Sequence, residues 1–417
     1  MNIRVVTGIT TSGTPHLGNY AGAIKPAIIA SVKPNVESFF FLADYHALIK
    51  CHDPNKLYRS RLEIAATWLA VGLDIDRVVF YRQSDIPEIV ELSWILTCST
   101  AKGLMNRAHA YKACVSNNLS KGLDQDDTVS MGLFSYPILM AADILMFKAN
   151  KVPVGKDQVQ HLEMARDIAQ KFNRKYNNDF FVLPEALVAS SVGTLPGLDG
   201  RKMSKSYNNT IPLFEGSAKD LKSSIMHIIT DSKEPGEYKD AYNSHLYILY
   251  KAFSNETESE EFRKKLALGM SWSEAKKSLY EKIEYEIFPM REKYSKLITQ
   301  PDLIEKILQF GAQKARVLSK KCIEEVRDLI GIRSLIDYKK NNLGKGINYD
   351  SKINNSKNKK KARLICYRDD LNKFRIRLLS TTGKELLTIK DSFSNADDAV
   401  LLMKKLNWFL KKSEMNK

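Results

Sequence analysis

Short, mainly apolar runs alternate with helical patterns through the first half of the chain. The runs have the composition of strands that are buried on both faces of a sheet, and they lie at residues 5–9, 39–43 and 78–81. Between the last two, apolar side chains such as Leu62 and Leu69 recur at helical spacing within residues 57–73. Residues 151–155 open a further strand, followed by a turn and a helix. This alternation predicts an α/β fold with a doubly wound parallel sheet.

The pattern changes three times further along, which divides the chain into four predicted parts. Strand signals stop near residue 217, and long helical patterns follow. Residues 341–361 are rich in Asn, Lys, Gly and Ser, the composition of a flexible linker, and three strand patterns and a helical pattern come after them. A polar, aperiodic segment at residues 116–128 is interpreted as a surface loop. We therefore predict a Rossmann-like nucleotide-binding domain, a helical domain, a basic linker and a small α+β module at residues 1–216, 217–338, 339–361 and 362–417.

The positive charge of the chain is concentrated near its C-terminus. The formal net charge is +16, and residues 331–417 hold 21 Lys and Arg against 9 Asp and Glu. The remaining 330 residues are close to neutral. A basic tail of this kind indicates either a polyanionic partner or a solubilising surface, and charge alone favours neither.

Composition excludes several classes of protein. Apolar residues make up 44% of the chain, as in globular proteins, and the longest apolar stretch, residues 138–147, is interrupted by Asp143. The five cysteines are scattered and never form a Cys-x-x-Cys pair, so we expect no disulfide framework, no protein-bound zinc and no iron–sulfur cluster. The N-terminus lacks the layout of a signal peptide. We expect a cytoplasmic protein without a membrane span.

The first motif, residues 9–20, follows the first predicted strand and contains Pro-His-Leu-Gly-Asn. Small residues and glycine allow the backbone to approach a phosphate closely, and the next helix would point its N-terminal N–H groups at that anion. His16 could donate a hydrogen bond to a phosphate, and Gly18 leaves room for a base. The alternative is an ordinary helix capped by Thr14 with Pro15 at its first position. It is not a Walker loop, because no Gly-Lys-Ser/Thr follows.

The second motif, residues 202–206, reads Lys-Met-Ser-Lys-Ser and lies between glycine-containing and Asn-rich segments. Two lysines interleaved with serines suit the binding of a polyphosphate. The alternative is a solvated basic loop.

Together the two motifs resemble the paired signatures of class I aminoacyl-tRNA synthetases, with Asn19 where the commonest form has histidine. Segments 44–47, 133–145 and 152–161 are similar to those of the tryptophanyl-tRNA synthetase family, and the resemblance covers about residues 3–330. It implies a catalytic domain with a helical insertion at residues 1–216 and an anticodon-recognition domain at residues 217–338.

Asp143 and Met140 are three positions apart and so share one face of a predicted helix. A carboxylate in an apolar helix is costly unless it meets a donor, and the indole N–H of tryptophan is a donor only. The alternative is a structural carboxylate bonded to backbone amides or to an arginine.

The resemblance implies ATP-dependent formation of tryptophanyl-adenylate and transfer of tryptophan to tRNA(Trp). It implies tryptophan contacts from Asp143, Met140, Tyr136, Gln158 and His46. The implied ATP contacts are Thr10, Thr11, Ser12, Gly18, Asn19, Gly155, Lys156, Asp157, Val192, Lys202, Met203, Ser204, Lys205 and Ser206. The implied catalytic residues are Lys202, Lys205, His16, Asn19 and Lys112. Many relatives have Gln-Pro in place of Thr10-Thr11 and an acidic residue in place of Lys156.

The chemistry needs no protein nucleophile, because the carboxylate of the amino acid is already ionised. We expect Mg²⁺ to accompany ATP, and the resemblance implies a homodimer as well as the partners ATP, L-tryptophan and tRNA(Trp). Three alternatives stay open: a tyrosyl-tRNA synthetase, a nucleotidylyltransferase, and a non-catalytic synthetase-like RNA-binding protein.

Overall fold

The computed structural model describes residues 3–11, 13–155, 158–188, 195–332, 363–369, 373–380, 384–389, 393, 398, 401–403 and 406. The chain divides into two compact units, Met1–Ser334 and Leu335–Lys417. Each is described by itself.

The first unit is built on a parallel five-stranded sheet in the order β3-β2-β1-β4-β5. Its strands are β1 (Ile3–Thr10), β2 (Val36–Ala43), β3 (Val79–Arg82), β4 (Lys151–Val154) and β5 (Glu185–Val188). All neighbouring pairs run parallel, and β1 pairs with β2 along its full length. The predicted doubly wound sheet is thereby confirmed. Strand β5 is a further strand that the sequence analysis did not predict; its apolar run is short, and its side chains are mostly exposed.

Helices connect the strands and then form the rest of the first unit. Between β1 and β4 they are α1 (Leu17–Asn19), α2 (Lys25–Ser31), α3 (Asp44–Ala47), α4 (Pro54–Val71), α5 (Pro87–Thr97), α6 (Lys102–Met105), α7 (His109–Ser120) and α8 (Met131–Leu145). The later ones are α9 (Val159–Lys175), α10 (Ala218–Met226), α11 (His245–Phe253), α12 (Glu256–Ala267), α13 (Trp272–Ile298) and α14 (Pro301–Ile330). Among the described residues, no helix has both the length and the hydropathy needed to cross a bilayer.

Local chemistry explains where the helices begin and end. The side chain of Asp53 accepts hydrogen bonds from the first turn of α4, Pro54 occupies the first helical position, and Gly72 ends the helix in the left-handed conformation. The predicted loop at residues 116–128 is wrong in its first part, because α7 continues to Ser120. The side chain of Asn118 is buried and bonds to Gln125 and Thr128, which ties the following turn to the helix.

Strand β2 is the centre of the hydrophobic core. Phe39 and Phe41 pack on one face with residues of α5, α8, α9 and α14, whereas Phe40 and Leu42 pack on the other with residues of α4, α11 and α13. Because successive side chains of a strand point to opposite faces and both faces of β2 are covered, a layer of helices lies on each side of the sheet. The core on the Phe40 face continues from the sheet into α10–α13 and therefore includes residues on both sides of residue 216. The domain boundary proposed at residue 216 stays a prediction.

The second unit contains an antiparallel sheet in the order β6-β7-β8. Its strands are β6 (Arg363–Arg368), β7 (Phe374–Leu379) and β8 (Glu385–Thr388), which correspond to the three strand patterns predicted after the linker. Residues 401–403 are helical and lie in the stretch where a helical pattern was predicted after those strands. The predicted linker lies outside the described residues.

Candidate active site

The candidate site lies at the carboxyl ends of the parallel strands. Strand β1 has β2 on one side and β4 on the other, so the order of the strands reverses beside it. Doubly wound sheets bind their ligands at such a switch point. The first motif follows β1, His46 follows β2 on α3, and Gln83 follows β3 directly. The first motif, His46 and Gln83 therefore lie at the edge of the sheet where a ligand is expected.

The first motif forms a tight cap at the start of α1. Nδ1 of His16 accepts a hydrogen bond from the backbone N–H of Asn19 at 3.3 Å, and the Asn19 side chain accepts one from the His16 N–H at 3.0 Å. The alternative in which Thr14 caps the helix is wrong, because the Thr14 hydroxyl instead donates to Glu63 at 2.6 Å. Since Nδ1 of neutral His16 accepts, its proton is on Nε2, which is a donor.

The second motif packs directly on the first. Met203 is buried, and its sulfur accepts a hydrogen bond from the backbone N–H of Gly18 at 3.3 Å. A Cβ at residue 18 would lie only 3.1 Å from that sulfur, so any larger residue would have to push the Met203 side chain away by a few tenths of an ångström. The ammonium of Lys205 lies over Gly13, 2.9 Å from the position that a Cβ would occupy there. The structure thus brings together two motifs that are 185 residues apart in the sequence.

Asp143 is fully buried on α8 and accepts hydrogen bonds from two side chains. Nε2 of His46 lies 2.9 Å from one carboxylate oxygen, and the amide nitrogen of Gln83 lies 2.9 Å from both. Gln83 is held in turn by the backbone N–H groups of Tyr45 and His46, which donate to its oxygen at 3.1 and 3.4 Å. We call Asp143, His46 and Gln83 the Asp143 cluster. A carboxylate offers about four acceptor positions, so the cluster can accept one more donor.

A second polar cluster lies beside the first. Tyr136 shares one face of α8 with Met140 and Asp143. Its hydroxyl is hydrogen-bonded to Nε2 of His161 at 2.5 Å, and Nδ1 of His161 is bonded to Gln158 at 3.0 Å. The rings of Tyr136 and His46 meet edge to face with centroids 6.3 Å apart. Met140 is half-buried. One helix face thus carries three of the residues predicted to contact tryptophan.

Comparison with known proteins decides the family. The model of class I tRNA synthetases (W and Y) matches residues 1–288. The tryptophan–tRNA ligase of Bordetella parapertussis is 60% identical over 406 residues, which cover 97% of this chain and 88% of the relative. The chain belongs to the tryptophanyl-tRNA synthetase family. The crystal structure of the Campylobacter jejuni tryptophanyl-tRNA synthetase, complexed with ADP and tryptophan, superposes with a TM-score of 0.71 at 42% identity and covers 79% of this chain and 100% of that one.

Members of the tryptophanyl-tRNA synthetase family differ in how much of this chain they match. The tryptophan–tRNA ligase of Neisseria meningitidis is 59% identical over 333 residues, which are 80% of this chain and 98% of that relative. The Bordetella relative, in contrast, aligns with almost the whole chain. The Neisseria relative is therefore almost as similar in sequence as the Bordetella relative, but it matches only four fifths of this chain.

The electrostatics of the two motifs are coupled. Burial lowers the pKa of His16 to about 4, and the nearby charge of Lys205 contributes to that shift. Partial burial of its ammonium end also lowers the pKa of Lys205, against the attraction of Glu63 and Glu215. At Asp143, burial raises the carboxyl pKa, while the hydrogen bonds from His46 and Gln83 oppose that rise. The neutral form of His16 is thus favoured at neutral pH, where its Nε2–H can donate to an anion.

We expect an NMR titration of the imidazole of His16 to give a pKa near 4, well below the ordinary 6.5. Lys205→Ala should raise that pKa because it removes a neighbouring positive charge, but only in part, since burial is the larger cause. A titration near 6.5 in the unmodified protein would contradict this geometry.

Three residues of the site were missed by sequence reasoning. Gln83 follows the apolar run 78–81 closely, so its place at the end of a strand was a usable signal. His161 lies at the end of segment 152–161. Asn209 is buried behind the second motif, where it accepts from the Ser204 N–H at 2.8 Å and donates to Asp199 and to the Lys202 carbonyl. Asn209 thereby holds the second motif in place.

Other predicted residues are not joined to these clusters. Thr10 and Gly155 are exposed at the ends of β1 and β4, whereas Thr11 is fully buried and its hydroxyl has no hydrogen-bond partner among the described residues. Lys112 is exposed on α7 and bonds to neither motif within the described part of the chain.

Lys202 and Ser206 are exposed on the second motif, and Ser204 caps its short 3-10 turn. The remaining predicted ATP contacts lie outside the described residues: Ser12, Lys156, Asp157 and Val192.

Proposed function

We propose that this protein activates L-tryptophan with ATP and transfers it to tRNA(Trp), with the Asp143 cluster as the part of the site that selects the indole. The family is that of tryptophan–tRNA ligases, at 55–60% identity over most of the chain. The observation that supports this choice of amino acid is the fully buried carboxylate of Asp143, whose hydrogen bonds with His46 and Gln83 use three of its about four acceptor positions. Tryptophan presents one N–H donor on an otherwise apolar ring, which fits that acceptor.

Tryptophan is bound in this proposal by both clusters. Its indole N–H donates to Asp143, Met140 packs against the ring, and His46 borders the site. Its α-ammonium group is held by the oxygen atoms of Tyr136 and Gln158. The alternative, a tyrosyl-tRNA synthetase, would require a partner for a phenol hydroxyl.

The two motifs hold ATP. The backbone around Gly18 and Asn19 approaches the triphosphate, the Nε2–H of His16 donates to it, and Lys202 and Lys205 contribute positive charge. An oxygen of the tryptophan carboxylate attacks the α-phosphorus, the bond to the β-phosphate oxygen breaks, and pyrophosphate leaves. Catalysis consists of positioning and of neutralising the charge that develops on the phosphates, so no general base is assigned. The predicted contacts of Thr10, Thr11, Ser12, Gly155, Lys156, Asp157, Val192 and Lys112 belong to this proposal.

Magnesium enters this proposal together with ATP. Within the two motifs, Lys202 and Lys205 are cationic and the Nε2–H of His16 is a neutral donor, and such groups fit phosphate oxygens rather than a metal ion. Among the described residues, no group of three or more His, Cys, Asp or Glu is placed to hold a metal. Mg²⁺ commonly binds through substrate phosphates and retains several waters, and it would supply charge neutralisation here.

An ATP–pyrophosphate exchange assay across the twenty amino acids tests the proposal. We expect exchange with tryptophan alone, because a site that requires a buried hydrogen bond can discriminate by about 10⁴–10⁵. Exchange with tyrosine in preference to tryptophan would favour the tyrosyl alternative. A complete absence of exchange would favour a non-catalytic RNA-binding protein.

We also infer a homodimer. Val90 and Trp94 lie one turn apart on α5, and 46% and 69% of their surfaces are exposed. Apolar side chains exposed side by side on one helix face are typical of an interface. Light scattering should give twice the chain mass of 47.4 kDa, and Trp94→Glu should shift the protein toward the monomer. A cytoplasmic location follows from the same function, because charged tRNA is consumed by ribosomes.

The C-terminal module is proposed to bind tRNA through phosphates. Deleting residues 339–417 should raise the Michaelis constant for tRNA and flatten its dependence on salt, because fewer phosphates are neutralised. Tryptophan-dependent pyrophosphate exchange, which needs no tRNA, should stay unchanged and is the control. An unaltered Michaelis constant and salt dependence would remove the tRNA role. Two arginines are already engaged within the module, since Arg375 pairs with Asp369 and Arg377 stacks on Tyr367.

A further inference from the structure

His161 is a buried polar residue at the start of α9, and only 3% of its surface is exposed. It belongs to neither motif. Its imidazole lies between Tyr136 and Gln158, and its ring meets the Tyr136 ring edge to face with centroids 5.0 Å apart. A buried imidazole needs hydrogen-bond partners for its two nitrogens, and these two side chains supply them.

The directions of the two hydrogen bonds follow from their atoms. The oxygen of Gln158 can only accept, so Nδ1 of His161 carries the proton and donates at 3.0 Å. In the neutral imidazole, Nε2 is then an acceptor, and the Tyr136 hydroxyl donates to it at 2.5 Å. The hydroxyl hydrogen of Tyr136 therefore points at His161. Toward any other group, the Tyr136 oxygen acts as an acceptor through its lone pairs.

The same arrangement fixes the orientation of the Gln158 amide. Because the Nδ1–H of His161 donates to the Gln158 oxygen, this oxygen rather than the NH₂ group faces the imidazole. A carbonyl oxygen can accept a second hydrogen bond. An ammonium group has three donors and no acceptor. Two oxygens, both oriented as acceptors by one imidazole, match that chemistry.

We propose that His161 is a positioning residue that orients Tyr136 and Gln158 for recognition of the α-ammonium group of the amino acid. This inference rests on the proposed function, in which these two side chains hold that group. His161 itself contacts no reacting atom in this arrangement. Its role is to prevent the Tyr136 hydroxyl and the Gln158 amide from turning their hydrogens toward a cation, which would weaken binding by electrostatic repulsion.

Three substitutions separate the two hydrogen bonds. The amide of His161→Asn lies near the place of Nδ1 and can still donate to Gln158, whereas the longer His161→Gln can still accept from Tyr136. His161→Leu removes both bonds. We expect the Michaelis constant for tryptophan in pyrophosphate exchange to rise about tenfold for Asn and Gln and up to about a hundredfold for Leu. His227→Leu, at an exposed histidine far along the chain, is the matched control and should leave it unchanged.

The decisive readout is an inhibitor without the amino group. Indole-3-propionate retains the indole and the carboxylate, so its inhibition constant should be the same in all three variants. Loss of affinity for both compounds would overturn the inference and assign His161 a structural role. Unchanged kinetics with tryptophan would also overturn it. If His161→Leu does not fold, as judged by its melting transition, the Asn and Gln variants decide by the same comparison. Failure of the unmodified protein to exchange pyrophosphate with tryptophan would instead contradict the proposed function.

Discussion

Lys205→Ala is expected to slow tryptophan-dependent pyrophosphate exchange by a factor of about ten to a thousand, the usual cost of losing one group that stabilises developing charge. The ammonium of Lys205 lies over Gly13 in the first motif, and its charge lowers the pKa of His16. Partial burial strengthens its interaction with a phosphate, because fewer waters screen the charge. The loss should fall mainly on the rate of activation at saturating ATP, since the developing charge is greatest in the transition state.

Two further variants make this result specific. Lys205→Arg keeps the charge and should retain more activity than Lys205→Ala. Lys219→Ala removes an exposed lysine from α10 and is the matched control, which should leave exchange unchanged. If Lys205→Ala activated tryptophan at the normal rate, the second motif would not be a phosphate-binding element.

Asp143→Asn should lower kcat/KM for tryptophan by about ten- to a hundredfold, because a hydrogen bond to a charged group contributes about 1.5–3 kcal/mol. The substitution preserves the volume of the side chain. However, both partners, Nε2–H of His46 and the Gln83 amide, are donors, so an amide NH₂ at residue 143 would face a donor. The acceptor offered to the indole is lost or turned away as a result.

A tryptophan analogue identifies the hydrogen bond itself. In 3-benzothienylalanine, sulfur replaces the indole N–H. The unmodified protein should prefer tryptophan over this analogue, and Asp143→Asn should lose most of that preference, which is the logic of a double-mutant cycle. Asp167→Asn, at an exposed position on α9, is the matched control. A preference that survives in Asp143→Asn, accompanied only by a lower melting temperature, would identify Asp143 as a structural carboxylate.

Much of the fold follows from local patterns. Apolar runs predicted β1 to β4 because strands covered on both faces need apolar side chains at every position. Helical spacing of apolar residues predicted α4 over residues 57–73, whereas Asp53 and Pro54 begin the helix three residues earlier. The sequence analysis missed strand β5, whose apolar run is short and mostly exposed, and the last turn of α7, whose side chains are mostly polar. The apolar pattern of a segment is thus informative mainly where its side chains are buried.

The two motifs are also visible in the sequence, because each is a short string of residues that acts through its own backbone and side chains. Their residue types alone indicate phosphate binding, without any tertiary contact. The cap of α1 was the exception. By type only Thr14 was a candidate cap, but its hydroxyl donates to Glu63 of α4, and His16 caps the helix instead.

By itself the sequence determined the parallel sheet, the two motifs, the basic tail and a carboxylate on an apolar helix. Only the tertiary structure decided which groups meet. Gln83 and His46 reach Asp143 across 60 and 97 residues of sequence, and Gly18 meets Met203 across 185. Such contacts depend on the order of the strands and on the packing of helices against them, which no local propensity encodes. The same packing surrounds His161 with its two partners.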